Sequence, residues 1–271
     1  MDIRLGFIGT GNMGTAMIKS IVKSGKVPAE RIFLFDVDKD KLKALCRETG
    51  TTAVESSEEV IQKSDVIILA VKPNMVKTVL EPLKGLFNEN KLLISVAVGI
   101  PIKFYKSILG NDVKIIRTMP NTPALVGEGM TLVSTDGTVK EEEIQTAISL
   151  FECCGKAEQL DEKLMSEVTA LTSSSPAYVF MFIEAMADAA VLSGIPRNLA
   201  YKLASQAVLG SAKMVLETGR HPGQLKDDVC SPGGTTIEAV ASLEKDGFRS
   251  AVIEAMNECT KKAKEIGKIY G

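Results

Sequence analysis

Three features of the sequence predict an α/β fold: a doubly wound parallel sheet at the N-terminus, followed by an all-α C-terminal domain. Apolar strand patterns alternate with helical patterns up to Leu160, and this alternation is typical of parallel sheets. A glycine-rich turn joins the first strand to the first helix. After Asp161 the strand patterns stop and only helical patterns remain. The predicted domains are therefore residues 1–161 and 162–271.

The first strand ends at Ile8 in the motif G-x-G-x-x-G, and a helical apolar pattern follows at once. In this context the first glycine permits a tight turn, and the second lets the backbone come close to a pyrophosphate. The third lets the helix pack closely on the strand. The helix start offers free N–H groups to the phosphates. The alternative is an ordinary glycine-bearing turn. The motif predicts a Rossmann-type dinucleotide site formed by Gly9, Thr10, Gly11, Asn12 and Met13.

Asp36 closes a second apolar strand, predicted over residues 31–36, about 20 residues after the motif. A carboxylate there accepts hydrogen bonds from the adenosine ribose and repels a 2′-phosphate, which favours NADH over NADPH. Lys39 and Lys41 lie close by and offset part of that repulsion. The segment 36–38 also fits an N-cap for a helix over 39–49, and the two roles are compatible.

Later strands carry polar loops at their carboxyl ends, where open α/β sheets bind ligands. One such loop is 72–74, and another is 119–123, in which Asn121 lies either beside the nicotinamide or in a rigid turn. The strand over 129–134 is predicted to lie at an edge of the sheet. The remaining strands are predicted over 65–71, 91–98, 113–117 and 155–160, and the helices over 56–63, 75–87, 102–109 and 141–151.

The C-terminal half is predicted to form helices over 163–171, 176–192, 197–217 and 235–267. The second of these is apolar nearly all round, and Glu184 inside it argues against a membrane span. A helix that is apolar on most faces must be buried on most faces. We therefore expect an obligate homodimer with interleaved helices. The alternative is a monomer that buries this helix in a compact bundle.

Two polar stretches interrupt these helices. The serines of 172–175 either cap the next helix or face a substrate. The segment Ser231-Pro232-Gly233-Gly234-Thr235-Thr236 places glycines before a helix start, where several N–H groups form a concave array. Such an array suits a carboxylate.

Composition narrows the class of protein. Hydrophobic residues make up 45% and charged residues 24%, which is typical of a globular chain. The net charge of −2 without a basic run argues against nucleic acid, and no signal pattern or membrane-length apolar run is present, so we expect a cytoplasmic protein. The five cysteines fit neither zinc nor disulfide spacing. His221 is the only histidine, so no metal site is expected, and a catalytic base is a minor alternative for it.

Four stretches together resemble the signature of the pyrroline-5-carboxylate reductase family, and the likeness covers essentially the whole chain. They are 117–123, 173–178, 221–227 and 231–236, of which the last is the most specific. The resemblance implies reduction of 1-pyrroline-5-carboxylate to L-proline with NADH or NADPH, the last step of proline biosynthesis. It also implies helical domains that intertwine in a homodimer, with further assembly into a homodecamer.

The resemblance also implies roles for individual residues. The substrate carboxylate would bind the N–H groups of Gly233, Gly234 and Thr235, and the Thr236 hydroxyl would lie near the ring nitrogen as hydrogen-bond partner or proton relay. A protonated imine is already electrophilic, so no strong side-chain acid is required. The implied substrate set also contains Ser173, Ser174 and Ser231. The implied cofactor set adds Ser57, Ala70, Val71, Lys72, Pro73, Ala97 and Asn121.

Two rival functions stay open at this point. One is a reductase of the 3-hydroxyacid or 6-phosphogluconate dehydrogenase type, which needs a lysine acid/base, with Lys163 or Lys202 as candidates. The other is a non-catalytic NAD(P)-binding regulator. A regulator would bind NADH without oxidising it in the presence of a cyclic imine.

Overall fold

The structure, a computed structural model, describes residues 1–270. It contains two compact units, which we call the first unit (Met1–Ser173 with Thr260–Gly271) and the second unit (Ser174–Cys259). The helix Met165–Thr172 belongs to the first unit in this division. The sequence-based domain boundary at residue 161 therefore stays a prediction.

The first unit is built on one eight-stranded sheet with the strand order β3-β2-β1-β4-β5-β6-β7-β8. All neighbouring strands are parallel except β6 and β7, which pair antiparallel. This confirms the predicted doubly wound, mostly parallel sheet. The strands are β1 (Leu5–Ile8), β2 (Ile32–Phe35), β3 (Thr52–Ala53), β4 (Val66–Leu69), β5 (Leu92–Ser95), β6 (Lys114–Met119), β7 (Gly129–Ser134) and β8 (Gly155–Gln159).

The central strands are apolar on both faces because helices cover both faces of the sheet. Strands β1, β4 and β5 are buried at every position. Along β4 the side chain of Ile68 enters one core cluster, while those of Ile67 and Leu69 enter the other. This alternation follows from the two-residue period of a strand, and it explains why the strand reads as a continuous apolar run.

The helices of the first unit begin and end at residues with recognisable physical roles. Before the second helix, the Asp38 carboxylate accepts a hydrogen bond from Lys41 N–H at 3.0 Å, which confirms the predicted N-cap. After it, Gly50 takes a left-handed φ of 73°. The helices are α1 (Asn12–Ser24), α2 (Lys39–Thr49), α3 (Ser57–Lys63), α4 (Val76–Leu80), α5 (Ile102–Leu109), α6 (Glu141–Phe151) and α7 (Met165–Thr172).

Two predictions in this unit are wrong. The helix predicted over 75–87 ends at Leu80 and continues only as a 3-10 turn over Glu81–Leu83, because Pro82 has no N–H to continue it. Strand β7 is not at the edge, since it lies between β6 and β8. Its contact with β8 is close: a Cβ on Gly155 would lie 2.0 Å from the carbonyl oxygen of Gly129.

The second unit is helical, as predicted, but two of its boundaries were missed. The single helix predicted over 235–267 is wrong, because Gly247 with φ of 74° separates two helices. An additional helix starts at Pro222, and His221 Nδ1 caps it by accepting the Gly223 N–H at 3.0 Å. The helices are α8 (Ser175–Leu192), α9 (Arg197–Thr218), α10 (Pro222–Val229), α11 (Thr235–Lys245) and α12 (Phe248–Ile269), the last of which continues into the first unit.

Large apolar side chains of the second unit are exposed in the single chain. The buried apolar residues of this unit are three alanines. By contrast, the side chain of Phe180 is 63% exposed, that of Met181 69% and that of Leu192 91%. Patches of this kind on a globular protein mark interaction surfaces. By length and composition the stretch Glu162–Leu192 is long and apolar enough to cross a membrane, a property that the core helices of soluble proteins can share.

Candidate functional site

The glycine-rich turn between β1 and α1 has the local shape that a dinucleotide requires. Gly9 has φ of 99°, and a Cβ there would lie 2.5 Å from the carbonyl oxygen of Ala70. A Cβ on Gly14 would lie 2.6 Å from the carbonyl oxygen of Gly9, so α1 packs closely on the turn. No heavy atom lies within 4 Å of a Cβ placed on Gly11. The open side of the turn is therefore at Gly11, the glycine expected to face a pyrophosphate, and the residues present fit the group.

Helix α1 begins with unsatisfied donors at this turn. Its N-cap is Gly11, which has no side chain to accept the first N–H groups. The Gly11 carbonyl accepts the Thr15 N–H at 2.8 Å, so the helix is formed from its first turn. The N–H groups of Asn12 and Met13 belong to that first turn and have no partner within the helix. Together with the helix dipole, such N–H groups can bind an anion.

Asp36 follows β2 and is tied to the same turn. Its Oδ2 accepts hydrogen bonds from Thr10 N–H at 2.5 Å and from Thr10 Oγ1 at 2.9 Å, and its Oδ1 accepts the Asp38 N–H at 3.0 Å. Burial opposes ionisation of this carboxyl, but the hydrogen bonds from Asp38 and Thr10 outweigh burial and lower its pKa below the ordinary value. Asp36 therefore braces the turn and carries a negative charge there, a bracing role that sequence reasoning missed.

The other residues predicted to line the cofactor lie at or near the carboxyl ends of the strands. Residues 70–73 follow β4, and the Ala70 N–H donates to the Ile8 carbonyl at 2.8 Å. Ala97 follows β5 and is 3% exposed, and Asn121 follows β6. The carboxyl ends of β1, β4, β5 and β6 thus gather these residues where such sheets bind ligands. Ser57 opens α3, whose N-cap is Ser56.

The side-chain amide of Asn121 forms two hydrogen bonds within the protein. Its Nδ2 donates to the Thr172 carbonyl at 3.0 Å, and its Oδ1 accepts the Met130 N–H at 2.9 Å. Both ends of the amide therefore brace the loop after β6. This favours the rigid-turn alternative for the side chain, and contact with the cofactor stays a prediction.

The predicted substrate serines occupy different environments. The Ser173 hydroxyl oxygen is buried and has no hydrogen-bond partner among the described residues. The Ser174 hydroxyl accepts a hydrogen bond from Cys259 Sγ at 3.2 Å. Ser174 precedes α8 without capping it through its side chain, so the prediction of a serine cap is wrong at this position. An unpaired buried hydroxyl is costly, and a bound ligand would relieve that cost at Ser173.

The turn before α11 is a second helix start built on glycine. Gly233 has φ of 67°, and a Cβ on Gly234 would lie 2.4 Å from the Ser231 hydroxyl oxygen. The Gly234 N–H donates to the Ser231 carbonyl at 3.0 Å, so this donor serves the turn. The N-cap Gly234 offers no side chain. Of the predicted donors, Gly234 is thus used within the turn, whereas Thr235 belongs to the first helical turn, whose N–H groups, with those of Thr236 and Ile237, have no partner within the helix.

Two of the three candidate acid/base residues, His221 and Lys163, are engaged in other contacts. His221 uses Nδ1 to cap α10. Lys163 pairs with Asp161 at 2.9 Å on the surface of the first unit. Within residues 1–270, no group of histidine, cysteine or acidic side chains is arranged to hold a metal ion.

Two protein-family models match this chain, one in its N-terminal part and one in its C-terminal part. Residues 4–99 match the family model described as NADP oxidoreductase coenzyme F420-dependent, and residues 162–266 match the one described as pyrroline-5-carboxylate reductase dimerisation. The pyrroline-5-carboxylate reductase of Escherichia coli (strain K12) is 51% identical over 268 residues, covering 99% of this chain and 100% of that protein. That of Methanosarcina acetivorans is 42% identical and covers 98% of each chain.

Solved structures give the same result. A pyrroline-5-carboxylate reductase from Coxiella burnetii has a TM-score of 0.94 at 34% identity, covering 98% of this chain and 99% of that one. The Plasmodium falciparum pyrroline carboxylate reductase with NADP bound has a TM-score of 0.87 at 35% identity, covering 98% of each. Likeness over the full length at this identity decides the family, and the resemblance seen in the sequence is confirmed. The chain belongs to the pyrroline-5-carboxylate reductase family.

Proposed function

We propose that this protein reduces the C=N bond of 1-pyrroline-5-carboxylate to give L-proline, with NAD(P)H as reductant. The observation that carries the proposal is that each unit presents a glycine-built helix start with free N–H groups. The start of α1 suits a pyrophosphate, and the start of α11 suits a carboxylate. These are the charged groups of the two reactants, and relatives of the full length carry the name of this activity.

The first unit would hold the dinucleotide through backbone. The N–H groups of Asn12 and Met13 would bind the pyrophosphate, and the bare Cα of Gly11 lets it approach. The segments that follow β4 and β5 would lie along the rest of the cofactor. When bound, the reduced nicotinamide supplies the hydride that the imine carbon accepts.

NADH is the proposed preferred reductant. The Asp36 carboxyl has a lowered pKa, so it is charged at neutral pH and repels a ribose 2′-phosphate. Lys39 does little to offset this charge, because its ammonium lies 3.7 Å from the Glu55 carboxylate and 4.6 Å from the centre of the Phe35 ring. Lys41 does attract the carboxylate, so the proposed discrimination is partial.

The second unit would hold the substrate. The substrate carboxylate would accept hydrogen bonds from the N–H groups of Thr235, Thr236 and Ile237, with Ser174 and Ser231 of the same unit beside it. The Thr236 hydroxyl would then contact the ring nitrogen as hydrogen-bond partner or proton relay. Because a protonated imine is a good electrophile, orientation of the two reactants can supply much of the acceleration. This agrees with a chain whose single histidine serves as a helix cap.

The protein self-associates through the domain that matches the dimerisation model. We propose that the assembly is a homodimer with interleaved helices, which joins further into a homodecamer in the cytoplasm. The exposed Phe180, Met181 and Leu192 side chains support this proposal, since a partner would bury them. The chain is not expected to bind nucleic acid or membrane.

A direct assay tests the proposed function. The purified protein is mixed with 1-pyrroline-5-carboxylate and either NADH or NADPH, and both coenzyme oxidation and L-proline are measured. We expect proline in step with oxidation, and a higher kcat/KM with NADH. Binding of NADH without oxidation in the presence of any cyclic imine would instead identify a non-catalytic regulator.

A further inference from the structure

A pair of buried hydroxyls lies at the carboxyl end of β5. Ser95 is the last residue of that strand, Tyr105 lies on α5, and both are fully buried. The Ser95 hydroxyl and the Tyr105 hydroxyl are 2.6 Å apart. The Ser95 hydroxyl also accepts the Ala97 N–H at 3.2 Å. The pair therefore fixes the direction in which the chain leaves the strand.

Neighbouring hydrogen bonds hold this pair from two sides. The hydroxyl of Thr118 on β6 donates to the Ser95 carbonyl at 2.9 Å. The Glu162 carboxylate accepts the Ile102 N–H at 2.7 Å and a hydrogen bond from the Arg117 guanidinium at 3.1 Å. The start of α5 is thereby joined to β6. Ser95 is thus hydrogen-bonded to α5, to β6 and to the segment that follows it, and the start of α5 is held to β6 by separate bonds.

The segment that follows Ser95 lies at the carboxyl ends of the parallel strands, where the cofactor is expected to bind. Ala97 is 3% exposed, but the next side chain, Val98, is 48% exposed. Gly99 then turns the chain with φ of 81°. An apolar side chain held open at the end of a central parallel strand offers a contact for a flat ring rather than for a phosphate.

We propose that Ser95 and Tyr105 are positioning residues, which hold the segment 96–98 against the nicotinamide half of the dinucleotide. The inference rests on the proposed function, because it assumes that the cofactor binds at these strand ends. Neither hydroxyl touches the cofactor in this account. They act through the backbone amide of Ala97 and the side chain of Val98.

The chemistry of Tyr105 suits this role. Burial raises the pKa of its hydroxyl to about 12, so the group stays protonated at neutral pH. Removing the hydroxyl leaves the ring, with its edge-to-face contact to Phe104 at 6.4 Å, in place. Tyr105→Phe therefore removes one hydrogen bond of the network without opening a large cavity.

Titrations with two ligands separate positioning from general damage. NADH contains the nicotinamide ring, whereas ADP-ribose lacks that ring and keeps the adenosine, the pyrophosphate and the second ribose. In Tyr105→Phe and Ser95→Ala we expect NADH affinity to fall by about 3- to 10-fold, the range of one lost hydrogen bond. ADP-ribose affinity should stay within about 2-fold of the wild type, which is below the effect of one hydrogen bond. Ser95→Thr, which keeps the hydroxyl, should restore NADH affinity.

The control is Ser134→Ala. Ser134 is also a fully buried serine at the end of a strand, and its hydroxyl donates to the Leu160 carbonyl. This variant should lose thermal stability to a similar degree yet bind NADH normally. Equal losses of NADH and ADP-ribose affinity in Tyr105→Phe, or no loss of NADH affinity, would overturn the proposal. The titrations contain no imine, so they stand apart from a failure to reduce 1-pyrroline-5-carboxylate.

Discussion

Thr10 and Asp36 join the glycine-rich turn to the end of β2 through two hydrogen bonds to a single carboxylate oxygen. The Thr10 N–H lies 2.5 Å and the Thr10 hydroxyl 2.9 Å from Asp36 Oδ2. Thr10 is fully buried. The carboxylate that is expected to read the adenosine ribose is therefore held in place by the turn that is expected to bind the pyrophosphate. The shape of the turn and the proposed choice of coenzyme therefore involve the same side chain.

Replacing Asp36 should change the choice of coenzyme. Asp36→Ser removes the charge that repels a 2′-phosphate, so kcat/KM with NADPH should rise relative to NADH, by about 10-fold for each 1.4 kcal/mol of repulsion removed. Asp36→Asn is the matched variant, since it removes the charge and keeps an oxygen that can accept from Thr10. Both variants should shift the ratio in the same direction. An unchanged ratio in steady-state assays with both coenzymes would contradict the role given to this carboxylate.

Adding a methyl group at Gly234 should damage substrate binding alone. Its Cβ would lie 2.4 Å from the Ser231 hydroxyl oxygen and 3.1 Å from the Ser231 carbonyl oxygen, so the hydroxyl must rotate away and the backbone of the turn before α11 must shift slightly. We expect the KM for 1-pyrroline-5-carboxylate to rise by about 10-fold or more in Gly234→Ala, because several hydrogen bonds to the carboxylate shift together. The dissociation constant of NADH, measured by fluorescence, should not change.

Gly267→Ala is the control for this prediction. A Cβ there meets its nearest atom, the Ser166 hydroxyl oxygen, at an ordinary 3.8 Å. This variant should have the KM and stability of the wild type or a slightly raised stability. If Gly234→Ala also kept the wild-type KM, the start of α11 would not be the carboxylate site.

Thr236 should matter for turnover more than for folding. If its hydroxyl contacts the ring nitrogen, Thr236→Ala should lower kcat by about 10-fold or more, the scale of a lost transition-state hydrogen bond. Thr236→Ser keeps the hydroxyl and should retain most of the activity. Thr218→Ala is the control, since the Thr218 hydroxyl donates within its own helix to the Met214 carbonyl at 2.6 Å. Wild-type turnover in Thr236→Ala would remove this residue from the mechanism.

The second unit should not be stable as a monomer. Sedimentation should give a mass of at least twice the 29.1 kDa chain, and the unfolding midpoint should rise with protein concentration. Phe180, 63% exposed in the single chain, offers a probe. Phe180→Asp should dissociate or aggregate, whereas Phe180→Leu should assemble normally. A folded, soluble wild-type monomer at micromolar concentration would argue against a core-like interface.

Much of the first unit could be predicted because its signals are local. The glycine motif, the apolar strands and the cap at Asp38 each follow from neighbouring residues, and helix α2 begins and ends as predicted. Strand β3 was missed because two residues, Thr52–Ala53, carry no periodicity. The edge position of β7 was wrong because the order of strands depends on contacts with β8, which sequence spacing does not reveal.

The misses near the candidate site have a common cause. The hydrogen bonds of Asp36 to Thr10 and of Ser95 to Tyr105 connect separate elements, so no sequence pattern announces them. The start of α10 was missed because its N-cap is His221, and histidine is an uncommon N-cap residue. The break at Gly247 was the exception, since a glycine inside a long helical pattern is itself a signal for a helix end.

The central claim is that a hydride passes from the coenzyme to the imine carbon of a ring whose carboxylate is bound by the start of α11. The most direct measurement is mass and NMR analysis of proline formed from 1-pyrroline-5-carboxylate and NADH deuterated at the transferred position. The account predicts L-proline with one deuterium on the ring carbon that came from the imine. Unlabelled proline, or deuterium on the carbon that bears the carboxylate, would contradict it.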